Sequence, residues 1–399
     1  VSAEGAGFQH KVINGKIKDS NYITWVINLT VIFVCWLPCY LAYYPGVLTY
    51  DIPAQINILA GLFPATTHQP PVHTMIFGWC LKLGDLTGGE PIVIYTISQM
   101  LIEAGIFAYF ILFITNRFIR KRWEIIILYL FFLINPIMPM MAIQPTKDIL
   151  FTCFFILCTT FIYRLIIEPS SIQPFQYVLF IVNLTLLMLF RNNVLYVMVV
   201  VAIVILIFTK VAKKLKVYVA IAMVISIFIL KIITGPVYAI YDIQDVDSKV
   251  EMSPVLVQQL GLVIIEEGES FSGEDWNEIS QFIYDVSILK ERYNPRIYDP
   301  VTDALYKSNI QENYGGFLKL WAKYFKKYPM TYIRAFLNLN IPFWYPFAST
   351  IDPYSQRYYI ETYISDCAYH IERDSKLPFC SIFMKESVLF RLWINQLLG

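Results

Sequence analysis

Residues 177–209 read YVLFIVNLTLLMLFRNNVLYVMVVVAIVILIFT, and this stretch decides the fold class. It holds a single charged side chain, Arg191. A helix that crosses a bilayer needs about 17–25 mostly apolar residues. Because Arg191-Asn192-Asn193 interrupts the stretch in its middle, we predict two short spans, 177–190 and 194–209, joined by a turn at a membrane face.

Five more segments are apolar enough and long enough to span, or nearly so: 23–43, 91–114, 124–142, 149–167 and 217–234. The chain is 57% hydrophobic and 15% charged, whereas soluble chains carry about 25% charged residues. We therefore predict an all-α polytopic membrane protein with about seven transmembrane helices. The basic residues lie in short clusters between apolar runs, so nothing indicates a nucleic-acid partner.

The segment Val72–Leu83 is apolar but too short to span, and it is typical of an interfacial helix. If it does not span and the N-terminus is cytoplasmic, twelve basic residues lie inside and three lie outside, as the positive-inside rule requires. The inside set is Lys11, Lys16, Lys18, Arg117, Arg120, Lys121, Arg122, Arg164, Lys210, Lys213, Lys214 and Lys216; the outside set is Lys82, Lys147 and Arg191.

This orientation divides the chain into two regions. Residues 1–234 form a transmembrane domain, with interfacial helices in its first outer loop, 44–90. Residues 235–399 form an extracytoplasmic helical region, in which 331–347 is predicted as an interfacial helix, with a spanning helix as the alternative. Cys367 and Cys380 lie in a polar part of this region, where a disulfide is possible if the compartment is oxidising.

The first outer loop holds polar residues that can carry chemistry. Asp51 and Gln55 are four residues apart, so a helix over 51–60 shows both on one face. Asp51 is either the cap of that helix or a carboxylate placed as a general base, and the two roles are compatible. His68 and His73 flank a Pro-Pro step. They either line a pocket as hydrogen-bonding groups or join Asp51 in a divalent-metal site, although their spacing is not diagnostic.

A second polar group lies between the third and fourth spans, at Thr146-Lys147-Asp148. Thr146 and Asp148 are ordinary residues for a helix start. Lys147 is not, because a cation in the first turn opposes the helix dipole. A helix N-terminus with a lysine suits a phosphate group. Arg191, in the last turn of the fifth span, adds a second cation at the same outer face.

Glu103 is a carboxylate in the middle of a span, with Gln99 one turn before it. Carboxylates inside a membrane are costly and face the bundle interior. Glu103 either hydrogen-bonds across helices or takes part in transport.

The order of these motifs resembles a known superfamily. YPG at 44–46, Asp51, Gln55 and HQPPVHT at 68–74 are followed by PTKDILF at 145–151 and LFRNNVLY at 189–196. This pattern resembles uncharacterised bacterial membrane proteins of the GT-C glycosyltransferase superfamily, whose relatives include protein O-mannosyltransferases and aminoarabinose transferases. The stretches Tyr293–Val301 and Tyr328–Pro346 extend the resemblance, which covers about residues 40–346. Two departures are Ile52, where relatives often carry a second acidic residue, and Val72, where leucine is usual.

The resemblance implies a GT-C-like fold in the plasma membrane, with an extracytoplasmic active site. The implied reaction transfers a sugar from a polyprenyl-phosphate carrier to a cell-envelope glycan, lipid or protein. Asp51 would deprotonate the acceptor hydroxyl, and Lys147 and Arg191 would hold the carrier phosphate. The remaining candidates for substrate binding are Gln55, His68, His73, Asp148 and Glu103. The resemblance also leads us to expect further spans beyond Gly399.

Two other functions stay open. A transporter or flippase for a lipid-linked or anionic solute would use Glu103, although the spans lack paired carboxylates, helices broken by Gly or Pro, and an inverted repeat. A non-catalytic scaffold of an envelope-assembly complex is the third possibility.

Overall fold

The computed structural model of the chain describes residues 16–48, 51–135, 137–191, 193–245 and 248–345. All regular elements in these ranges are helices, accompanied by isolated bridges. Cys367 and Cys380 lie outside the described residues. The described chain is therefore all-α, as its composition predicts.

Ten helices make up the N-terminal part of the chain. They are α1 (Lys16–Ala42), α2 (Asp51–Leu59), α3 (Pro71–Leu86), α4 (Ile92–Arg117), α5 (Arg122–Ile134), α6 (Ile137–Ala142), α7 (Lys147–Ile167), α8 (Pro174–Phe190), α9 (Val194–Phe208) and α10 (Lys213–Ile232). Of the described helices, four are long and apolar enough to cross a membrane: Tyr22–Ala42, Ile92–Arg117, Lys147–Ile167 and Lys213–Ile240. The apolar helices α8 and α9 are shorter. These helices make the chain a membrane-embedded protein.

The segment 124–142, predicted as one span, forms the two helices α5 and α6. Asn135 ends α5 in an extended conformation, and its side-chain oxygen accepts a hydrogen bond from the Ile137 amide at 3.1 Å. The cause is local, because a residue that precedes a proline is disfavoured in the α region. The expectation that no predicted span is broken by a proline is therefore wrong for this segment. Neither α5, with 13 residues, nor α6, with 6, reaches the length of a span.

Hydrogen bonds between helices help to hold the bundle together. They matter in lipid because the lipid tails are as apolar as the helix surfaces, so apolar burial alone gives little drive to associate. The indole of Trp36 in α1 donates to the carbonyl of Phe132 in α5 at 3.1 Å. Trp25 donates to the carbonyl of Gly105 in α4 at 2.8 Å. At the C-terminal end of α4, Arg117 makes two hydrogen bonds to the carboxylate of Glu168, which follows α7. The bonds of Trp25 and Arg117 therefore tie α4 to α1 and to the residue that follows α7, and the bond of Trp36 ties α1 to α5.

The boundary predicted at 234–235 falls inside a helical segment. After α10, a π-helical turn, Ile233–Val237, leads without a break into α11 (Tyr238–Ile240). Eight further helices follow: α12 (Ser248–Glu251), α13 (Pro254–Glu267), α14 (Gly273–Ile279), α15 (Val286–Arg292), α16 (Lys307–Glu312), α17 (Tyr314–Lys327), α18 (Pro329–Leu339) and α19 (Ile341–Trp344). They enclose a hydrophobic core of their own, centred on α13 and α17.

The predicted interfacial or spanning helix at 331–347 corresponds to α18 and α19. At 1.5 Å per residue, α18 is about 16 Å long, roughly half of a bilayer core. It is too short to span alone. Tyr332 and Ala335 are buried, whereas Met330, Ile333 and Phe336 are exposed. The helix is therefore amphipathic, with an apolar side left open.

Candidate functional site

The site lies at one end of the bundle, and the turn after α1 leads into it. Gly46 has φ of +143° and lies so close to α4 that a Cβ atom would be 2.9 Å from Thr96 Oγ1. The Val47 amide donates to the carbonyl of Ile143 at 3.1 Å. A glycine is required here, because another residue would be strained and would clash. This turn fixes the path of the chain towards α2, which begins at Asp51.

Asp51 and Lys147 form an ion pair, with Lys147 Nζ 2.7 Å from Asp51 Oδ2. The side chains are 37% and 17% exposed. Each residue is the first of its helix, α2 and α7. Asp51 therefore supplies the negative charge that offsets the unfavourable position of Lys147 at a helix N-terminus.

The surroundings of Asp51 act on its acidity in opposite directions. Burial raises the pKa of the carboxyl, while the charge and hydrogen bond of Lys147, together with Gln69, lower it. The net effect is a pKa below the usual value of an aspartate. Lys147 thus contributes to holding the pKa of the partly buried Asp51 carboxyl below its usual value.

A chain of hydrogen bonds links this ion pair to the bundle interior. Lys147 also donates to Gln69 Oε1 at 3.3 Å, and Gln55 Nε2 donates to the same oxygen at 3.4 Å. Gln55 Oε1 lies 3.1 Å from His73 Nδ1, and His73 Nε2 lies 2.7 Å from the hydroxyl of Tyr95. Both glutamines and His73 are buried. The side chains that support Lys147 are therefore fixed by partners on three helices.

The hydrogen bonds to Gln55 and Tyr95 determine which ring nitrogen of His73 carries a proton. Gln55 Oε1 only accepts, so His73 Nδ1 carries a proton and donates, while Nε2 accepts from the Tyr95 hydroxyl. Burial, with a smaller contribution from the charge of Lys147, lowers the pKa of His73 to about 3. His73 is consequently a neutral structural link at physiological pH.

Arg191 and Asp148 pair with each other at the same end of the bundle. Arg191 Nε and Nη2 donate to Asp148 Oδ1 at 2.9 and 2.6 Å, and the guanidinium lies 5.4 Å from the centre of the Phe151 ring. Both side chains are about half exposed. Asp148 follows Lys147 in α7, so two ion pairs stand side by side at its start.

The other predicted residues lie at different depths. His68 is exposed, with its Nδ1 3.7 Å from a carboxylate oxygen of Glu251. Glu103 is buried in α4, two turns beyond Tyr95, or about 12 Å along the helix axis. Among the described residues, Glu103 Oε2 has no hydrogen-bond partner. The structure therefore joins Asp51, Gln55, His73 and Lys147, and it separates Glu103 from them.

The metal alternative for Asp51, His68 and His73 does not fit this geometry. Both ring nitrogens of His73 are engaged by Gln55 and Tyr95, so neither is left to bind a metal ion. Within the ranges that the structure describes, no group of three His, Cys, Asp or Glu side chains is arranged to hold one.

Two members of the hydrogen-bond chain were not predicted. Gln69 lies in the HQPP motif between the predicted histidines, but a glutamine alone gives no signal of its partners. Tyr95 lies in the first turn of a spanning helix, where its hydroxyl is hidden among apolar neighbours. A signal was available for Tyr95: it lies four residues before Gln99 and eight before Glu103, on one polar face of α4.

Comparison with known proteins identifies a family but no characterised relative. A model of a family of unknown function (DUF6020) matches residues 64–375. The chain matches no curated protein and no solved structure. The matched range includes His73, Lys147 and Arg191, and it begins after Asp51.

Proposed function

The chain belongs to the DUF6020 family, and from its site we propose that it is a membrane glycosyltransferase that uses a polyprenyl-phosphate sugar as donor. The observation that carries the proposal is the ion pair of Asp51 and Lys147, 2.7 Å apart at an accessible end of the bundle. A general base and a phosphate-binding cation are the two groups that this transfer needs. The resemblance to GT-C glycosyltransferases supports the same assignment.

In the proposed reaction, Asp51 takes the proton of an acceptor hydroxyl. The hydroxyl oxygen forms a bond to the anomeric carbon of the sugar, and the bond from that carbon to the carrier phosphate oxygen breaks. The electron pair leaves with the polyprenyl phosphate. Lys147 stabilises the negative charge of this leaving group, because a cation in a partly buried site interacts strongly with a phosphate.

The ion pair provides a way to couple donor binding to base strength. When Lys147 turns from Asp51 to the carrier phosphate, the pKa of Asp51 loses its main lowering influence, and burial acts to raise it. A carboxylate with a higher pKa is a better base. In this proposal Asp51 becomes most reactive when the donor is in place. Arg191, paired with Asp148, is the second candidate for the phosphate.

The proposal places the site at the outer face of the plasma membrane and the N-terminus in the cytoplasm. Its support is the distribution of charge, since the clusters at 117–122 and 210–216 belong to the opposite helix ends. A count of seven spans requires α5 with α6, α8 and α9 to cross as well. Labelling of single cysteines placed in each loop tests both the orientation and the count.

The test of the activity uses the full chain in liposomes that contain an extract of bacterial membranes, which supplies both polyprenyl-phosphate sugars and lipid or glycan acceptors. Release of polyprenyl phosphate is the readout. Asp51→Asn is expected to lower turnover by about 100-fold or more. The matched control is Asp85→Asn, which replaces an exposed carboxylate of α3. This variant should keep full turnover. Full turnover by folded Asp51→Asn, or no release by the wild type, would overturn the proposal.

A transporter or flippase is the second candidate, and a specific observation favours it. Glu103 is buried within a spanning helix, and among the described residues its Oε2 atom has no hydrogen-bond partner. Intramembrane carboxylates in this situation often carry protons. The transporter would be favoured by two results together. The wild type in vesicles shows proton-coupled uptake but no sugar transfer, and Glu103→Gln loses the uptake.

A further inference from the structure

A cleft of about 340 Å³ opens at the same end of the bundle as the ion pair of Asp51 and Lys147. Its floor is apolar and is formed by Met188 of α8, Leu195 of α9 and Leu230 of α10. Its rim is polar and includes Lys231 and Asp245. A cavity of this size holds the volume of about eleven water molecules, enough for the headgroup of one lipid.

The cleft is separated from the Asp51 site by the loop that precedes α3. Thr67 faces the cleft, where its hydroxyl donates to Asp245 Oδ1 at 2.8 Å. Gln69, two residues on, is buried beside Lys147. The loop is anchored on the cleft side, since the Thr67 amide donates to the carbonyl of Gln244 and the Gln244 amide to that of Ala65, each at 2.9 Å. The cleft is thus a second site with its own polar groups.

The two charges on the rim have opposite signs, and neither is neutralised by the other. Lys231 lies in the last turn of α10 and is exposed, without an ion-pair partner in the part of the chain that the structure describes. Asp245 is exposed, and its carboxylate accepts the hydrogen bond from the Thr67 hydroxyl. A ligand that satisfies both charges carries an anionic and a cationic group of its own.

The floor of the cleft is continuous with helix surfaces that face lipid. On α9 the exposed side chains include Val197 and Val200, and on α10 they include Phe228 and Ile232. A membrane lipid can therefore reach the cleft sideways, with its chains against these surfaces. A water-soluble ligand would gain nothing from this position.

We propose that the cleft binds the zwitterionic headgroup of an amine-bearing phospholipid, with its phosphate at Lys231 and its ammonium at Asp245. Phosphatidylethanolamine has this chemistry. The inference depends on the membrane-embedded fold and not on the proposed glycosyl transfer. Because Thr67 and Gln69 belong to one loop, an occupied cleft holds that loop beside the Asp51 site.

The experiment uses the full chain in phosphatidylcholine nanodiscs that contain a photoreactive phosphatidylethanolamine, with cross-linked residues mapped by mass spectrometry. Cross-links are expected at the cleft lining, and unlabelled phosphatidylethanolamine should compete better than phosphatidylglycerol, which has no ammonium. Lys231→Gln should reduce labelling about tenfold, which corresponds to a loss of about 1.4 kcal/mol in binding free energy. Lys213→Gln, at the opposite end of α10, is the control and should label like the wild type.

Two more variants make the test specific. Asp245→Asn should remove the preference for phosphatidylethanolamine over phosphatidylglycerol, while Thr234→Trp should fill the cleft and abolish labelling of its lining. Circular dichroism and gel filtration confirm that each variant is folded. Labelling of the lining that is unchanged in Lys231→Gln and Thr234→Trp would overturn the proposal. Equal competition by both lipids in the wild type would also overturn it. This experiment measures lipid binding and not sugar transfer. A negative result would therefore exclude the lipid site without affecting the proposed function.

Discussion

The buried link between His73, Gln55 and Tyr95 predicts a large loss of stability when the imidazole is replaced. His73→Phe keeps an aromatic ring against Phe77 and Phe190 but leaves Gln55 Oε1 and the Tyr95 hydroxyl without their partner. A buried polar group that loses its partner costs about 1–3 kcal/mol. We expect His73→Phe to lower the free energy of unfolding by about 2–6 kcal/mol, the sum for two such groups.

The measurement is equilibrium unfolding in mixed micelles with an increasing fraction of sodium dodecyl sulfate, followed by circular dichroism. His68→Phe is the matched control, because His68 is exposed, and a surface substitution should change stability by no more than about 0.5 kcal/mol. Tyr95→Phe completes a double-mutant cycle. It should cost about 1–3 kcal/mol alone and much less when His73 is already phenylalanine. Strict additivity, or a loss no greater than that of His68→Phe, would refute the hydrogen-bond chain.

The same residue predicts a pH dependence with a definite sign. The folded protein holds His73 neutral, with a pKa of about 3, whereas the unfolded chain takes up a proton near pH 6.5. Because the unfolded state then binds more protons, the contribution of His73 to stability falls as the pH drops from 6.5 towards 3. The slope is about 1.4 kcal/mol per pH unit. The difference between wild type and His73→Phe should therefore shrink as the pH is lowered, and a constant difference would contradict a neutral His73.

Two further predictions concern packing and charge elsewhere in the chain. Gly84→Ala should lower stability by about 1–3 kcal/mol, because its Cβ would overlap the backbone of Pro91. Gly235→Ala is the control, since its Cβ would meet nothing within 4 Å. Thermal unfolding compares the two variants. Asp275→Asn should lower the melting temperature at pH 7 more than at pH 3. The hydrogen bond from Lys323, followed by those from Ser272, depresses the pKa of Asp275, so its stabilising contribution is present above pH 4 and is lost as the pH falls below it. An equal effect at both pH values would contradict this assignment.

The sequence predicts the spanning helices because lipid, unlike water, offers no hydrogen-bond partners to the backbone. Long apolar runs must become helices in a membrane, since every backbone group needs a partner within the segment. The starts of α4, α7 and α9 were predicted to within a few residues for this reason. The break at Asn135 was missed, although the proline that follows it was visible, because hydropathy alone does not register a local backbone constraint.

The candidate site was predicted as a set of residues, but their pairing required the tertiary structure. Sequence alone determined that Asp51, Lys147 and Arg191 are unusual among apolar neighbours and that Lys147 opposes its helix dipole. Nothing in it shows that Lys147 pairs with Asp51, 96 residues away, while Arg191 pairs with Asp148. Packing of α2, α3, α4 and α7 at one end decided these partners. Charge–charge energies depend on distance and burial, and both are properties of the folded bundle.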